Sequence, residues 1–135
     1  MALMNDIRVP ISPGELLDKI TILRIKAARI ADAGKLANVR LELGLLEATW
    51  RDSGCAVRDV AQEERALQEV NERLWVIEDR IRDKEAAQAF DAEFIELARA
   101  VYVSNDERAA LKKRVNERLG SRIIEEKSYT PYERA

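Results

Sequence analysis

The sequence contains no histidine and only one cysteine, Cys55. The lack of histidine excludes Ser-His-Asp and Cys-His catalysis, the usual zinc sites and pH switching by an imidazole. With a single cysteine, no disulfide can form within the chain and no thiolate cluster can hold a metal. No glycine-rich phosphate loop is present either. We therefore expect neither a metal site nor a bound cofactor.

Residues that interrupt helices are also scarce, with five Gly and three Pro in 135 residues. Aromatic residues make up only 5% of the chain, so aliphatic side chains must form its core. The remainder is rich in Ala, Leu, Glu, Arg and Lys, a composition that favours long helices over sheets. We predict an all-α fold, a compact and mostly antiparallel bundle of four or five helices, in a single domain over residues 1–135.

Long apolar runs and a strong excess of one charge are absent as well. No stretch suits a signal peptide or a bilayer span, and the net charge is −2. We expect a cytoplasmic protein without a membrane partner, and no general binding of nucleic acid, which needs a strongly basic face. The basic segment 108–118 is a local exception. It is either a solvated helix end or a phosphate-binding surface.

The clearest local signal lies at the start of the first helix. Ser12 suits the N-cap, Pro13 the first helical position and Glu15 the reciprocal position of a capping box. This helix should run to about Asp32, after an N-terminal arm formed by residues 1–11.

Weaker signals place the other helices. They are predicted over 37–51, from shortly after Cys55 to about Ala87, and from near Asp91 to before Gly120. Ser104 and Glu107 form a second capping-box pattern, so the last segment is either one continuous helix or two. Residues 121–135 lack helical periodicity and should form an irregular tail.

Charged and amide side chains interrupt the apolar faces of three predicted helices, at ~100° per residue. Arg24 falls within the apolar arc of the first helix. Asn71, Glu78 and Arg82 lie beside Trp75 on the third helix, and further polar residues lie on the inner face of the last. The candidate site consists of Arg24, Asn71, Trp75, Glu78, Arg82, Asn105, Arg108, Lys112 and Asn116.

Such residues need partners, because a buried charge is costly unless it is paired and hydrogen-bonded. One interpretation is an internal salt-bridge network centred on Glu78. A second is a pocket whose surplus of cations binds a small carboxylate or phosphate, and a third is an oligomer interface. We expect Arg24 and Glu78 to be substantially buried and close together, with Arg82 or Arg108 beside them. The acids available to balance the surplus are Asp18, Asp79, Asp106, Glu125 and Glu126.

Apolar periodicity suggests self-association. Val60, Leu67, Leu74 and Ile81 recur every seven residues, while Ile22 and Ile25 lie outside the main arc of the first helix. A bundle this small need not cover all of that surface, so we expect a homodimer. The favoured function is a self-associating interaction or structural domain. The alternative is a protein or enzyme that binds a small anion in the Arg/Lys pocket.

Four segments carry a family resemblance. They are ISPGELLDKITIL at 11–23, LWVIEDRIR at 74–82, NDERA at 105–109 and GSRIIEEKSY at 120–129. Together they resemble the signature of an uncharacterised bacterial protein family over nearly the whole chain. The resemblance implies a bacterial source and carries no established activity.

Two all-helical enzyme classes offer analogies to the predicted pocket. The Arg/Lys pocket is similar in kind to that of the all-helical chorismate mutases, in which basic residues from several helices hold a dicarboxylate. No motif matches residue by residue, so this is a likeness of chemistry and fold class. An all-helical nucleotide pyrophosphohydrolase would need facing acidic pairs for Mg²⁺. The nearest candidates are Glu63-Glu64 and Glu93 with Glu96, and Glu93 and Glu96 lie off the apolar arc.

Overall fold

Four α-helices follow one another in the computed structural model, which describes residues 6–132. They are α1 (Pro13–Arg29), α2 (Ala33–Asp52), α3 (Ala61–Ala86) and α4 (Ala92–Arg118), with a short 3₁₀ helix, Cys55–Val57, between α2 and α3. No strand occurs between residues 6 and 132. The prediction of an all-α bundle is confirmed.

Helix α1 begins as predicted and ends earlier. The Ser12 hydroxyl oxygen accepts a hydrogen bond from the Glu15 backbone N–H at 3.2 Å. At the other end, the helix stops at Arg29, before the predicted end at Asp32. Asp32 is instead the N-cap of the next helix. The Asp32 carboxylate accepts the Lys35 backbone N–H at 2.9 Å and so caps α2. Gly34 therefore lies in the first turn of α2 and does not terminate α1.

Helix α4 is continuous through Ser104, so the interpretation of Ser104 and Glu107 as a helix start is wrong. Ser104 is buried within the helix, and the true N-cap is Asp91, whose carboxylate accepts the Phe94 N–H at 3.0 Å. The chain leaves α4 at Gly120, whose φ of 65° is readily adopted only by glycine. Residues 121–132, the tail, then form neither helix nor strand.

Helices α3 and α4 form an antiparallel hairpin. Cross-helix ion pairs follow in antiparallel order, with Glu63–Arg118 at 2.5 Å, Arg73–Glu107 at 2.5 Å and Lys84–Asp91 at 2.8 Å. The open end of the hairpin is where α3 begins and α4 ends, and its closed end is the connecting loop, 87–91. Helix α1 packs against both helices of the hairpin, and α2 packs against α1.

The core lies at the open end of the hairpin. It is formed by Leu17, Val60, Leu67, Val70, Leu111 and Val115, each at most 5% exposed, with Trp50 of α2 packed beside them. The seven-residue repeat that suggested an interface is therefore mostly internal, because Leu74 is buried along with Val60 and Leu67. Ile25 is buried too. These four buried residues do not mark a surface for a second copy, whereas Ile22 and Ile81 are only partly buried.

Candidate functional site

Helices α1 and α4 are joined through Asp18 and Arg108. The Asp18 side chain is 0% exposed, and its two oxygens accept hydrogen bonds from Arg108 Nε at 2.9 and 3.1 Å. Arg108 Nη2 donates to Asp18 Oδ2 at 2.6 Å. Bidentate pairing of this kind is both strong and orientation-specific. The hydrogen bond with Asp18 raises the pKa of Arg108 above its ordinary value.

Asn71 connects this pair to α3. Its Nδ2 donates to Asp18 Oδ1 at 2.9 Å and lies 3.0 Å from Thr21 Oγ1. The Thr21 hydroxyl in turn donates to the Asp18 backbone carbonyl at 2.7 Å. We call Asp18, Thr21, Asn71 and Arg108 the Asp18 network. Because it draws on three helices, it fixes their relative positions at one level of the bundle.

The beginning of α1 lies directly on α4. Asn116 Oδ1 accepts the Gly14 backbone N–H at 2.7 Å. A Cβ atom at Gly14 would collide with the carbonyl oxygen of Lys112, so only glycine permits this approach. The contact explains why a glycine follows Pro13 in the first turn.

Lys112 attaches two further segments to α4. Its Nζ lies 2.6 Å from a Glu15 oxygen and 2.9 Å from a Glu125 oxygen, and its side chain is 11% exposed. Burial alone would lower the pKa of Lys112, but the hydrogen bonds with Glu15 and Glu125 outweigh it and the pKa is raised. The Lys112 hydrogen bond holds the pKa of Glu125 below its ordinary value. The tail is thereby connected to the bundle.

Five of the nine predicted site residues line one cavity of about 390 Å³ between α1, α3 and α4. They are Asn71, Trp75, Glu78, Asn105 and Arg108, and the remaining lining residues are Ile22, Lys26, Leu74 and Asp79. Lys112 and Asn116 lie farther along α4, against the start of α1. Arg24 and Arg82 are not among its lining residues.

The expectation that Arg24 and Glu78 lie together is wrong. Arg24 pairs with Glu64 at 3.0 Å and approaches Glu47 of α2 at 3.9 Å, whereas Glu78 has a 3.7 Å contact with Arg82. Glu64 precedes Glu78 by 14 residues, about 21 Å along α3. Their side chains are also not deeply buried, at 38% exposed for Arg24 and 46% for Glu78. A helical wheel gives the direction of a side chain around its axis and not the level at which it meets a neighbour.

The predicted surplus of positive charge is balanced. Each of the four cations has a carboxylate partner: Arg24 has Glu64, Arg82 has Glu78, Arg108 has Asp18, and Lys112 has Glu15 and Glu125. The best-connected buried acid is Asp18, and Glu78 makes only the contact with its neighbour in the same helix. The geometry therefore favours a network that holds helices together over a pocket of unpaired cations.

Gly14, Asp18 and Thr21 belong to the site, although they are not in the candidate set. They are spaced at i, i+4 and i+7, so they form one stripe along α1. Apolar periodicity does not reveal this stripe, although its spacing is visible in the sequence. A glycine, an acid and a hydroxyl on one face indicate close packing against polar partners.

Three of the four acids considered for magnesium are paired with cations. Glu63 pairs with Arg118, Glu64 with Arg24, and Glu93 with both Arg80 and Lys84. Within residues 6–132, no group of three or more acidic or cysteine side chains is placed to hold a metal ion. No helix in that part of the chain combines the length and the apolar character that a bilayer crossing requires.

The comparisons with other proteins place the chain in a family without an assigned activity. No curated protein and no solved structure matches the sequence significantly. The family of unknown function DUF6165 matches residues 7–133, a range that includes the Asp18 network and the tail up to Tyr132. The chain therefore belongs to the DUF6165 family.

Proposed function

We propose that this chain is a helical interaction domain that forms a homodimer through the closed end of its α3–α4 hairpin. In this proposal the Asp18 network is structural and holds α1 on the open end. The observation that carries it is a single hairpin face, covered at one end and uncovered at the other.

The α4 side of this face is defined by helical spacing. Asn116, Lys112, Arg108 and Asn105 face α1 or the cavity beside it, and Lys112 and Asn116 are buried. The positions that continue the same face toward the closed end are Val101, Ala98 and Phe94, and all three are only partly buried. Ile95, next to this row, is 57% exposed.

The α3 side repeats this pattern. From the buried Asn71, the same face continues through Trp75 and Glu78 to Arg82. Exposure increases along that row, and the Arg82 side chain is 79% exposed. We call Trp75, Glu78 and Arg82 with Phe94, Ala98 and Val101 the uncovered face. At its Trp75 and Glu78 edge, this face borders the cavity beside α1.

Charge on the uncovered face favours a second copy as its partner. Glu78 and Arg82 give it one acid and one base, and their contact within the helix is a loose 3.7 Å. A two-fold interface brings one patch against itself, so a charged patch can pair with its own copy only when it carries both signs of charge. A second hairpin can supply Glu78 to the exposed Arg82 of the first. Two hairpins facing each other also make a four-helix bundle, which buries both apolar rows.

Light scattering after size exclusion tests the dimer, since one chain has a mass of 15.4 kDa. We expect about twice that mass for the native chain. Ala98→Glu places a charge in the uncovered face and should give a monomer with unchanged helical circular dichroism. Ala110→Glu is the matched control, because Ala110 is an exposed alanine of the same helix that lies off this face.

A native mass of 15.4 kDa at high protein concentration would contradict the proposal. Equal loss of the dimer in both variants would also count against this face. A bacterial source and a cytoplasmic location remain predictions of the sequence.

Binding of a small anion in the cavity between the helices has less support. The cavity lining carries Lys26 and Arg108 against Glu78 and Asp79, so it offers no net positive charge. A doubly charged phosphate would find no excess of cations in this lining.

A further inference from the structure

Arg108 uses only one edge of its guanidinium group on Asp18. Nε and Nη2 face the carboxylate, while Nη1 lies 3.5 Å from Asn105 Oδ1, at the limit for a hydrogen bond. A guanidinium carries five N–H donors, so the edge that bears Nη1 retains unused donors. The Arg108 side chain is 30% exposed, and it lines a second cavity besides the one between the helices.

This second cavity, of about 850 Å³, lies between α4 and the tail. Its lining includes Tyr102, Asn105 and Arg108 of α4 with Lys127, Tyr129 and Tyr132 of the tail. The volume falls within the ~300–1,000 Å³ of small-molecule sites. We call it the tail cavity.

The walls of the tail cavity are aromatic. Tyr102 and Tyr132 bring their ring centroids within 5.1 Å of each other, at a tilt of 58°. Tyr129 is 74% exposed, and Lys127 Nζ lies 5.5 Å from the centre of its ring. Three tyrosines around one opening provide flat apolar surfaces with polar tips, a combination enriched where proteins bind partners.

Hydrogen-bond donors lie beside these rings. Asn105 and Arg108 are three residues apart and therefore on one face of α4. Within residues 6–132, the Asn105 side-chain amide nitrogen has no acceptor, and it is not cut off from solvent. Two adjacent donor groups, Arg108 Nη1 and Asn105 Nδ2, can serve the two oxygens of a carboxylate.

The charged residues around the tail cavity determine which net charge of a ligand is favoured. Among the lining residues, Arg108 and Lys127 stand against Asp106, which leaves a net charge of +1. Asp18 lies behind Arg108, and Glu125 lies 3.5 Å from Lys127, so both cations already have a carboxylate partner. A ligand with one negative charge therefore fits this cavity better than a doubly charged phosphate, which would add unmatched charge beside three acids.

We propose that the tail cavity binds a small aromatic monocarboxylate. Its carboxylate accepts hydrogen bonds from Arg108 and Asn105, and its ring lies among Tyr102, Tyr129 and Tyr132. Asp18 positions Arg108 without touching the ligand. The site does not depend on the dimer, because none of the lining residues belongs to the uncovered face.

Phenylacetate is a suitable probe, with titration followed by calorimetry and by NMR of the folded chain. We expect saturable binding that shifts the Asn105 side-chain amide and tyrosine ring signals. Acetate, which lacks the ring, and benzyl alcohol, which lacks the charge, should each bind at least about tenfold more weakly. Phenyl phosphate should also bind more weakly than phenylacetate. Equal or tighter binding of acetate, benzyl alcohol or phenyl phosphate would overturn this assignment of ligand chemistry.

Substitutions test whether phenylacetate binds in the tail cavity. Asn105→Leu keeps the side-chain size while removing the donor, and we expect about tenfold weaker binding of phenylacetate, the loss typical of a hydrogen bond to a charged group. Tyr129→Ala should weaken binding similarly through the lost ring contact. Phe90→Ala is the matched control, since Phe90 is 54% exposed and lies at the closed end of the hairpin. Unaltered binding in both test variants, or equal weakening in the control, would overturn the proposal.

Discussion

The two ends of the α3–α4 hairpin differ although the same two helices form both. At the open end, where α1 covers the hairpin, Leu67, Val70 and Val115 are 0% exposed. Toward the closed end, Phe90 is 54% exposed and Ile95 is 57% exposed.

The difference between the two ends lies in the third element. Helix α1 is bonded to the hairpin toward its open end, at Asn116, Arg108 and Glu64, and beyond these contacts it borders only the cavity lined by Trp75 and Glu78. The open end therefore has a fully buried core, whereas the closed end leaves apolar side chains exposed.

The polar contacts differ in the same way. At the open end, Asp18, Asn71 and Asn116 are buried and hydrogen-bonded. At the closed end, the helices are joined by exposed ion pairs, such as that between Arg80 and Glu93. Exposed ion pairs typically contribute about 0–1 kcal/mol, whereas breaking a buried pair costs about 3–5 kcal/mol. Stability should therefore reside mainly at the open end.

Removing the central acid of the open end should have the largest effect. Asp18→Ala leaves Arg108 and Asn71 without their shared acceptor, and we expect a loss of about 3 kcal/mol in the free energy of unfolding. Glu93→Ala, which removes an exposed partner of Arg80 at the closed end, should cost much less. Urea unfolding of both variants measures the contrast. Equal losses would remove the distinction between the two ends.

A single methyl group should test the close approach of α1 to α4. Gly14→Ala pushes a Cβ against the Lys112 backbone, and overpacking of this kind costs about 1–3 kcal/mol. Gly44→Ala is the matched control in α2, where the added Cβ meets nothing within 4 Å. There we expect a gain of up to about 1 kcal/mol from helix propensity. Thermal unfolding that showed Gly14→Ala to be neutral would contradict the close contact.

A smaller, pH-dependent effect should appear where the tail attaches. The folded-state pKa of Glu125 lies below its ordinary value of 4.5, mainly because Lys112 donates to it. Its contribution is therefore fully present above about pH 4.5 and is lost as the pH falls through the folded-state value. We expect the stability difference between the native chain and Glu125→Gln to shrink below pH 4.5. A difference that stayed constant or grew on acidification would show that Lys112 does not hold the tail through this pair.

Local chemistry made much of the fold predictable. The caps at Ser12 and Asp91 and the exit at Gly120 act over three or four residues, and the structure uses all three. The helix boundaries that were predicted wrongly involve residues that suit two different positions in or beside a helix. Asp32 and Gly34 fit the end of one helix as well as the start of the next. Ser104 fits an N-cap, but in the folded chain it is enclosed within a longer helix.

The sequence predicts several of the polar side chains that face the interior of the bundle, but it does not predict which residues they pair with. Arg108 and Asn71 stood out because they interrupt apolar faces, and both line the cavity between the helices. Asp18 is expected only as one of five acids that could balance the surplus of cations, and not as a member of the candidate site. Its burial depends on the level at which α1 meets α3 and α4. That level is a property of the tertiary packing, which no single-helix pattern contains.

Amide hydrogen exchange at two protein concentrations tests most directly whether a second copy covers the closed end. If it does, the amides of residues 94–101 should exchange more slowly as the concentration rises, because dimer formation opposes local opening of the hairpin. The amides around Leu67 and Val115 already belong to a core within one chain and should change less. Exchange over 94–101 that is fast and independent of concentration, in a species of 15.4 kDa, would contradict the account.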